Sequence, residues 1–276
     1  MWRSGRRIAL IGMENAYPLG LSTDTLGQWK ARGVRYVGLT HVGHNQFADS
    51  ANFNTLTEPL ALHHGLSPLG RDLVGALNDQ GVMVDVSHTS KETTQQAIAL
   101  SRAPVIASHA AARALVDNPR NIDDDDITAL ARKGGVVQIV ALGSFLRAPT
   151  PQQVQARLGV RAQFGIHNDG ERAALDEAAD RRYVAAIDAV DARFPQPSVR
   201  DLVDHIDHVA RLVGIEHVGI ASDFGGGGGI VGWRDASQSA AVTRELVRRN
   251  YSDADIAQIW GENLLRVMDA AAAAAR

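Results

Sequence analysis

The chain has no cysteine in its 276 residues. That excludes a disulfide framework and any thiolate metal site, so a metal here must be held by histidine and carboxylate. No apolar run approaches the roughly 20 residues that a membrane-spanning helix requires, and no span is expected. An excess of either charge is also missing: 28 Lys+Arg against 31 Asp+Glu leaves a formal net charge of -3. With no Lys/Arg cluster interleaved with aromatics, nucleic acid is not an expected partner. The opening stretch, MWRSGRRIALIGMENAYPLG, carries arginines and a short apolar run but no small-residue cleavage site. It reads as the entry into a strand rather than a signal peptide, and the compartment stays undetermined. Nothing repeats internally. The glycine run Gly225 to Gly229 follows a strand end instead of opening a helix, so a phosphate-cradling role is weakly supported.

What is present is enough apolar material, 45% of residues, for one large core, and the length suits a single barrel domain spanning residues 1–276. Short β-branched stretches at 7–12, 34–40, 82–87, 104–107, 135–142 and 216–221 predict buried strands. Helical patterns lie between several of them. Ser67 to Gln80 places Leu69, Leu73 and Leu77 at spacing four, and Ser90 to Leu100 has Ala97, Ile98 and Leu100 apolar. Ser67 followed by Pro68, and Ser90 followed by Glu92, are helix starts by residue type. The Ala-rich end, Met268 to Arg276, extends a last helix and reads as a frayed terminus.

Strands apolar on both faces and alternating with helices predict a parallel sheet covered on both sides, either a closed barrel or a doubly wound sheet. Polar residues favour the barrel, because His41, His88, His109 and Asp223 each fall at a strand end. A barrel gathers the carboxyl ends of all its strands on one face, whereas a doubly wound sheet focuses only those near its switch point. From Ala148 to Pro197 the rhythm breaks into a charged, Ala/Arg-rich stretch. This predicts a helical insertion around 148–200, able to serve as a lid, as a homodimer surface, or as a solvated hairpin without a role.

A zinc that activates water needs ligands fixed on rigid elements and one position left open. His88 and His109 meet that need, each following a run that ends in serine (VMVDVSH and PVIASH). Asp223, in HVGIASDFGG, is placed to ligate metal and to take a proton from the attacking water. Glu14, at the end of the first strand, would bridge two metals.

The succession IGMENA, YVGLTHVGHNQFADS, GLSPLGRDLVGALNDQGVMVDVSH, APVIASHAAARALVDNPRNIDDD, HVGIASDFGG and GENLLRVM resembles the membrane (renal) dipeptidase family, metallopeptidase family M19, from about Ile8 to Met268. The resemblance implies a (β/α)8 barrel of the metal-dependent hydrolase kind that uses two zinc ions to hydrolyse dipeptides. It places the bridging glutamate on Glu14, the histidines of the second zinc on His88 and His109, and the aspartate beside the metals on Asp223. It also places the histidine at the scissile region on His41, and the arginine holding the substrate carboxylate on Arg120, in PRN. A guanidinium fork can bind a carboxylate bidentately, which would select a free C-terminus.

One departure is large. The family carries a His-x-Asp pair on a strand well before the bridging glutamate, and no such pair precedes Glu14 here. The expectation is a barrel without its first strand, with ligands for one zinc rather than two. Three readings remain open: a fragment of a complete enzyme, a chain with one metal position, or a noncatalytic relative that binds peptide or amino-acid carboxylates. An amidohydrolase acting on another amide or a lactone would share the same site.

Overall fold

The computed structural model describes residues 9–167, 171–172 and 174–276. Six parallel strands form one sheet in the order β1 (Ile11–Met13), β2 (Val34–Gly38), β3 (Met83–Asp85), β4 (Ile106–Ala110), β5 (Val136–Val140) and β6 (Val218–Ala221). Each predicted stretch yields one strand, although Arg7 and Ile8 lie outside the described residues. The count corrects one expectation. A barrel short of one strand would have seven, and six are found among the described residues, with β6 not paired back to β1. The sheet is a curled half-barrel.

The helices that cover it are α1 (Leu26–Ala31), α2 (Pro68–Gln80), α3 (Lys91–Leu100), α4 (Asp124–Arg132), α5 (Gly143–Leu146), α6 (Pro151–Gln163), α7 (Glu177–Asp191), α8 (Val199–Val213), α9 (Ala240–Arg248), α10 (Asp253–Ala257) and α11 (Asn263–Ala273). The predicted caps form as expected: the Ser67 side chain accepts from Gly70 N and that of Ser90 from Thr93 N. Each satisfies one of the orphan donors of a first helical turn. The predicted insertion is a pair of helices, α6 and α7, with its own small core of Val160, Ile166, Tyr183 and Val190. A cleft lined by Val42, Phe53 and Leu56 on one side and Arg161 and His167 on the other separates this pair from the loop after β2. The insertion thus reaches the loop that carries His41.

The two faces of the sheet belong to different cores. Val84, Val105, Ala107 and Val137 join the large cluster under the outer helices. Met83, Ile106 and Val136 instead meet Val267 and Ala271 of α11, with Tyr36 beside them. Helix α11 forms a floor across the amino ends of the strands. Asn263 Nδ2 donates to the carbonyls of Ile215 and Val218, and Arg266 donates to those of Gly134 and Glu216. At the far end Ala272 closes on Gly81, where an added Cβ would sit 3.0 Å from the Ala272 Cα. The alanine-rich end extends the last helix through Ala273, as expected, with Ala271 buried and Ala272 and Ala273 exposed beyond this backbone contact.

Candidate functional site

All six residues singled out in the sequence lie toward the carboxyl ends of the strands or in the loops beyond them. Glu14 follows β1, His41 is three residues past β2, His88 three past β3, and Asp223 two past β6. His109 differs from expectation, because it lies inside β4 rather than beyond it. Pro104 cannot donate to a ladder, which moves the strand's start along the chain. Pairing with β5 resumes at Ala110 after a register shift between Ala107 and Ala110. Such a bulge re-aims side chains, and here it contains Ser108 and His109.

Three ligand atoms converge. His88 Nε2 lies 3.1 Å and His109 Nε2 3.2 Å from Glu14 Oε1, and the two imidazole nitrogens are 2.8 Å apart. Among the described residues this is the group of His and acidic side chains whose ligand atoms all lie within 4.8 Å of one another. His41 stands at its rim, with Nε2 3.9 Å from Glu14 Oε1 and its ring centroid 4.4 Å from that of His88. Asp223 remains outside the tight group, but its charge is felt by Tyr36 and Arg120, which face the same space.

Backbone conformation holds the group in place. His88 has φ 69°, Asp223 φ 53° and Asn15, next to Glu14, φ 77°. Residues other than glycine rarely adopt this left-handed region, and they do so where surrounding structure enforces it. At Asn15 the enforcing contact is Asn45, whose Nδ2 donates to Asn15 Oδ1 and to Leu39 O. At His88 it is Ser50 and its neighbour. Ser50 Oγ lies 2.6 Å from His41 O and 3.1 Å from His88 O, and Ala51 N donates to His88 O. Ser50 and Ala51 thereby tie the two histidine-bearing loops together, the single hydroxyl hydrogen going to the nearer His41 O and the Ala51 amide to His88 O.

Electrostatics follow from burial and proximity. The imidazoles of His109 and His88, both beside Oε1, hold the Glu14 carboxyl far below the usual carboxylate range. Burial pushes His88 down to about 4, opposed by its contact with Glu14. Burial also raises Asp223, with the nearby Glu14 charge adding to the effect and His109 opposing it. Tyr36 is pushed up to about 12 by burial and by the charges of Asp85, Glu14 and Asp223. Arg120 is buried and moves down to about 10, so it keeps its charge at neutral pH. Its Nη2 has no hydrogen-bond partner, and its guanidinium carbon lies 5.4 Å from the Phe145 ring centroid.

The sequence reading passed over Asp85, Ser87, Ser108, Ser50 and Tyr36. Asp85 is 1% exposed and accepts hydrogen bonds from Ser87 N, Ser108 N and Ser108 Oγ. A signal for it exists, because an acid inside the apolar run VMVDV must be satisfied or functional. Tyr36 carries no comparable signal. Its ring occupies the space where a Cβ on Gly12 would fall, 2.0 Å from Tyr36 Cζ.

The donor set is two imidazoles and a carboxylate, of the type that suits zinc. Tetrahedral zinc at ~2.0–2.1 Å from each ligand holds its ligand atoms roughly 3.3 Å apart. The observed spacings of 2.8–3.2 Å need only a slight opening to match, and the residues fit the group.

Comparison with known proteins identifies the family. Residues 1–276 match the family model described as membrane dipeptidase (peptidase family M19). The chain is 34% identical over 273 residues to dipeptidase verJ of Clonostachys rogersoniana, covering 98% of this chain and 56% of that protein. It is 32% identical over 265 residues to dipeptidase aclJ of Aspergillus oryzae, covering 96% of this chain and 51% of that protein. The chain thus spans about half the length of the curated relatives it matches. Among solved structures, the probable dipeptidase PvdM of Pseudomonas aeruginosa superposes with a TM-score of 0.86 at 40% identity, over 96% of this chain and 70% of that one. A Rhodobacter sphaeroides metallopeptidase, liganded with a phosphinate mimic of the dipeptide L-Ala-D-Ala, shares the fold with a TM-score of 0.71 at 23% identity, over 95% of this chain and 63% of that one. From its ordered motifs, its half-barrel and its full-length family match, the chain belongs to the membrane dipeptidase family, peptidase family M19.

Proposed function

We propose that the chain acts as a zinc-dependent dipeptidase, with Glu14, His88 and His109 holding the metal. The observation that carries this reading is the convergence of Glu14 Oε1, His88 Nε2 and His109 Nε2 at mutual distances of 2.8–3.2 Å. Bound there, zinc supplies Lewis-acid polarisation of a carbonyl and lowers the pKa of water toward about 7.

The chain's own groups do the rest. Arg120, buried, charged and with a free Nη2, binds the substrate's C-terminal carboxylate and so selects for dipeptides. Asp223, whose carboxyl is raised by burial, takes a proton from the attacking water and delivers it to the leaving amine. A carboxyl shifted toward neutrality suits both halves of that transfer. His41, at the rim of the cluster, donates a hydrogen bond to the oxygen on which negative charge develops. Three protein ligands of this set make one metal position.

The test is zinc content together with turnover of a panel of dipeptides, N-acyl amino acids and lactones by the purified chain. Zinc uptake and cleavage confined to dipeptides, both lost in His88→Ala, are expected. Carboxylate binding through Arg120 without zinc or turnover would instead make the chain a binding protein.

A further inference from the structure

On the far side of the His109 ring from Glu14 lie two groups without a part in the chemistry above. Ser108 Oγ is 2.8 Å from His109 Nδ1 and 2.6 Å from Asp85 Oδ2. A hydroxyl has one hydrogen, and its place follows from counting donors. Asp85 Oδ1 already accepts from Ser87 N and Ser108 N, while Oδ2 has Ser108 Oγ as its partner. Two oxygens at 2.6 Å need a hydrogen between them, and the buried carboxylate is the stronger acceptor. The hydroxyl hydrogen therefore points at Asp85. The Ser108 oxygen then faces His109 Nδ1 with lone pairs, and only an Nδ1–H can bond to it.

We propose that Asp85, acting through Ser108, is a positioning residue that fixes His109 as the Nδ1–H tautomer and keeps its Nε2 lone pair aimed at the point shared with Glu14 and His88. The proposal rests on the metal-site reading of that cluster. It also accounts for a second observation. His88 Nδ1 is buried and has no hydrogen-bond partner. If His109 Nε2 is bare, the 2.8 Å contact between the two rings makes His88 Nε2 the donor. His88 Nδ1 is then an unprotonated nitrogen with no hydrogen to satisfy. The metal-free chain thus holds its two histidines in opposite tautomers. Zinc held by both Nε2 atoms would leave the His109 tautomer as it is and would require the His88 proton to move from Nε2 to Nδ1, since ligating histidines use the nitrogen opposite their supporting hydrogen bond.

Histidine tautomers in the full chain, read by long-range nitrogen–proton NMR in the absence of metal, test this without any substitution. Nδ1–H at His109 with Nε2–H at His88 is expected, and Nε2–H at His109 overturns the proposal. Asp85→Asn sharpens it. Because Oδ1 accepts two backbone N–H groups, the amide of Asp85→Asn must turn its NH2 toward Ser108. That sends the hydroxyl hydrogen to His109 Nδ1 and reverses the His109 tautomer, and an unreversed tautomer in a folded variant counts against the relay.

Zinc affinity by chelator competition gives the other readout. Ser108→Ala should lose roughly 10–100-fold, as other second-sphere partners do, and Ser108→Thr, which keeps the hydroxyl, should restore it. Unchanged affinity in Ser108→Ala overturns the proposal. A wild-type chain that takes up no zinc defeats the metal-site reading instead, and the tautomer measurement still decides the relay.

Discussion

Arg120 lies with its guanidinium carbon 5.4 Å from the centroid of the Phe145 ring, and no carboxylate among the described residues pairs with it. The aromatic face offsets part of the cost of burying the charge, but the vacant Nη2 is a poor arrangement for stability alone. An unpaired buried charge destabilises a fold. Arg120→Met should therefore leave the melting temperature unchanged or raise it. The same variant should lower kcat/KM for dipeptides by a factor on the order of 10–100, equivalent to the ~1.5–3 kcal/mol of a hydrogen bond to a charged group. Calorimetry and steady-state kinetics on one preparation check both halves.

Zinc should stabilise the chain through the Glu14, His88 and His109 group. A ligand that binds only the folded state adds about 2.7 kcal/mol at a hundredfold excess over its Kd. Thermal melts with zinc and with a chelator should differ for the wild type and coincide for Glu14→Gln and His88→Ala. A zinc-dependent shift that survives in both variants would place the metal elsewhere.

Gly12 and Tyr36 make a steric prediction. A methyl at position 12 would fall 2.0 Å from Tyr36 Cζ, so Gly12→Ala must push the ring away from the space it shares with Glu14 and Asp85. Overpacking of this kind costs about 1–3 kcal/mol, measurable as a lower urea midpoint. The double variant Gly12→Ala with Tyr36→Ala should not show the two penalties as additive, because the clash disappears with the ring.

Acid sensitivity should trace in part to Glu245. Hydrogen bonds from Arg248 and then Arg249 hold its carboxyl down to about 2, below the ordinary glutamate value. Between those two values the unfolded chain takes up a proton that the folded chain refuses. The contribution is fully present above about pH 4.5 and is lost as pH falls through about 2. Urea unfolding from pH 5.5 downward should fall off more steeply for the wild type than for Glu245→Gln, and equal slopes would rule this out.

Much of this molecule is legible in its sequence, and the division has physical causes. Buried parallel strands must be apolar on both faces, so six β-branched runs became six strands. Caps at Ser67 and Ser90 are local and show themselves by residue type. His88 and His109 share a serine-histidine ending, which pointed at both. Contacts that depend on register did not show. The bulge that places His109 inside β4 arises from pairing with β5, some thirty residues away. Likewise Asp85 reaches Ser108, and Ser50 reaches His88, across elements whose spacing in sequence carries no period. The alanine-rich end extends the last helix as read, but small residues signal a loose terminus and a close-packing site alike. Only the position of Gly81 decides between them.

That contact between Gly81 and Ala272 bears on how the molecule assembles. Every ladder joins strands adjacent in sequence, so the sheet can grow outward from neighbouring strand–helix units with shorter loop closures than the floor requires. The floor is different. Gly81 meets Ala272, and Arg276 N donates to Asp79 O, which closes a loop of about 190 residues and costs correspondingly more chain entropy. Folding should therefore finish at α11, and unfolding should begin there. Amide exchange in α11 should outpace exchange in β3 to β5, making this helix the latch through which the inner face of the half-barrel first meets water.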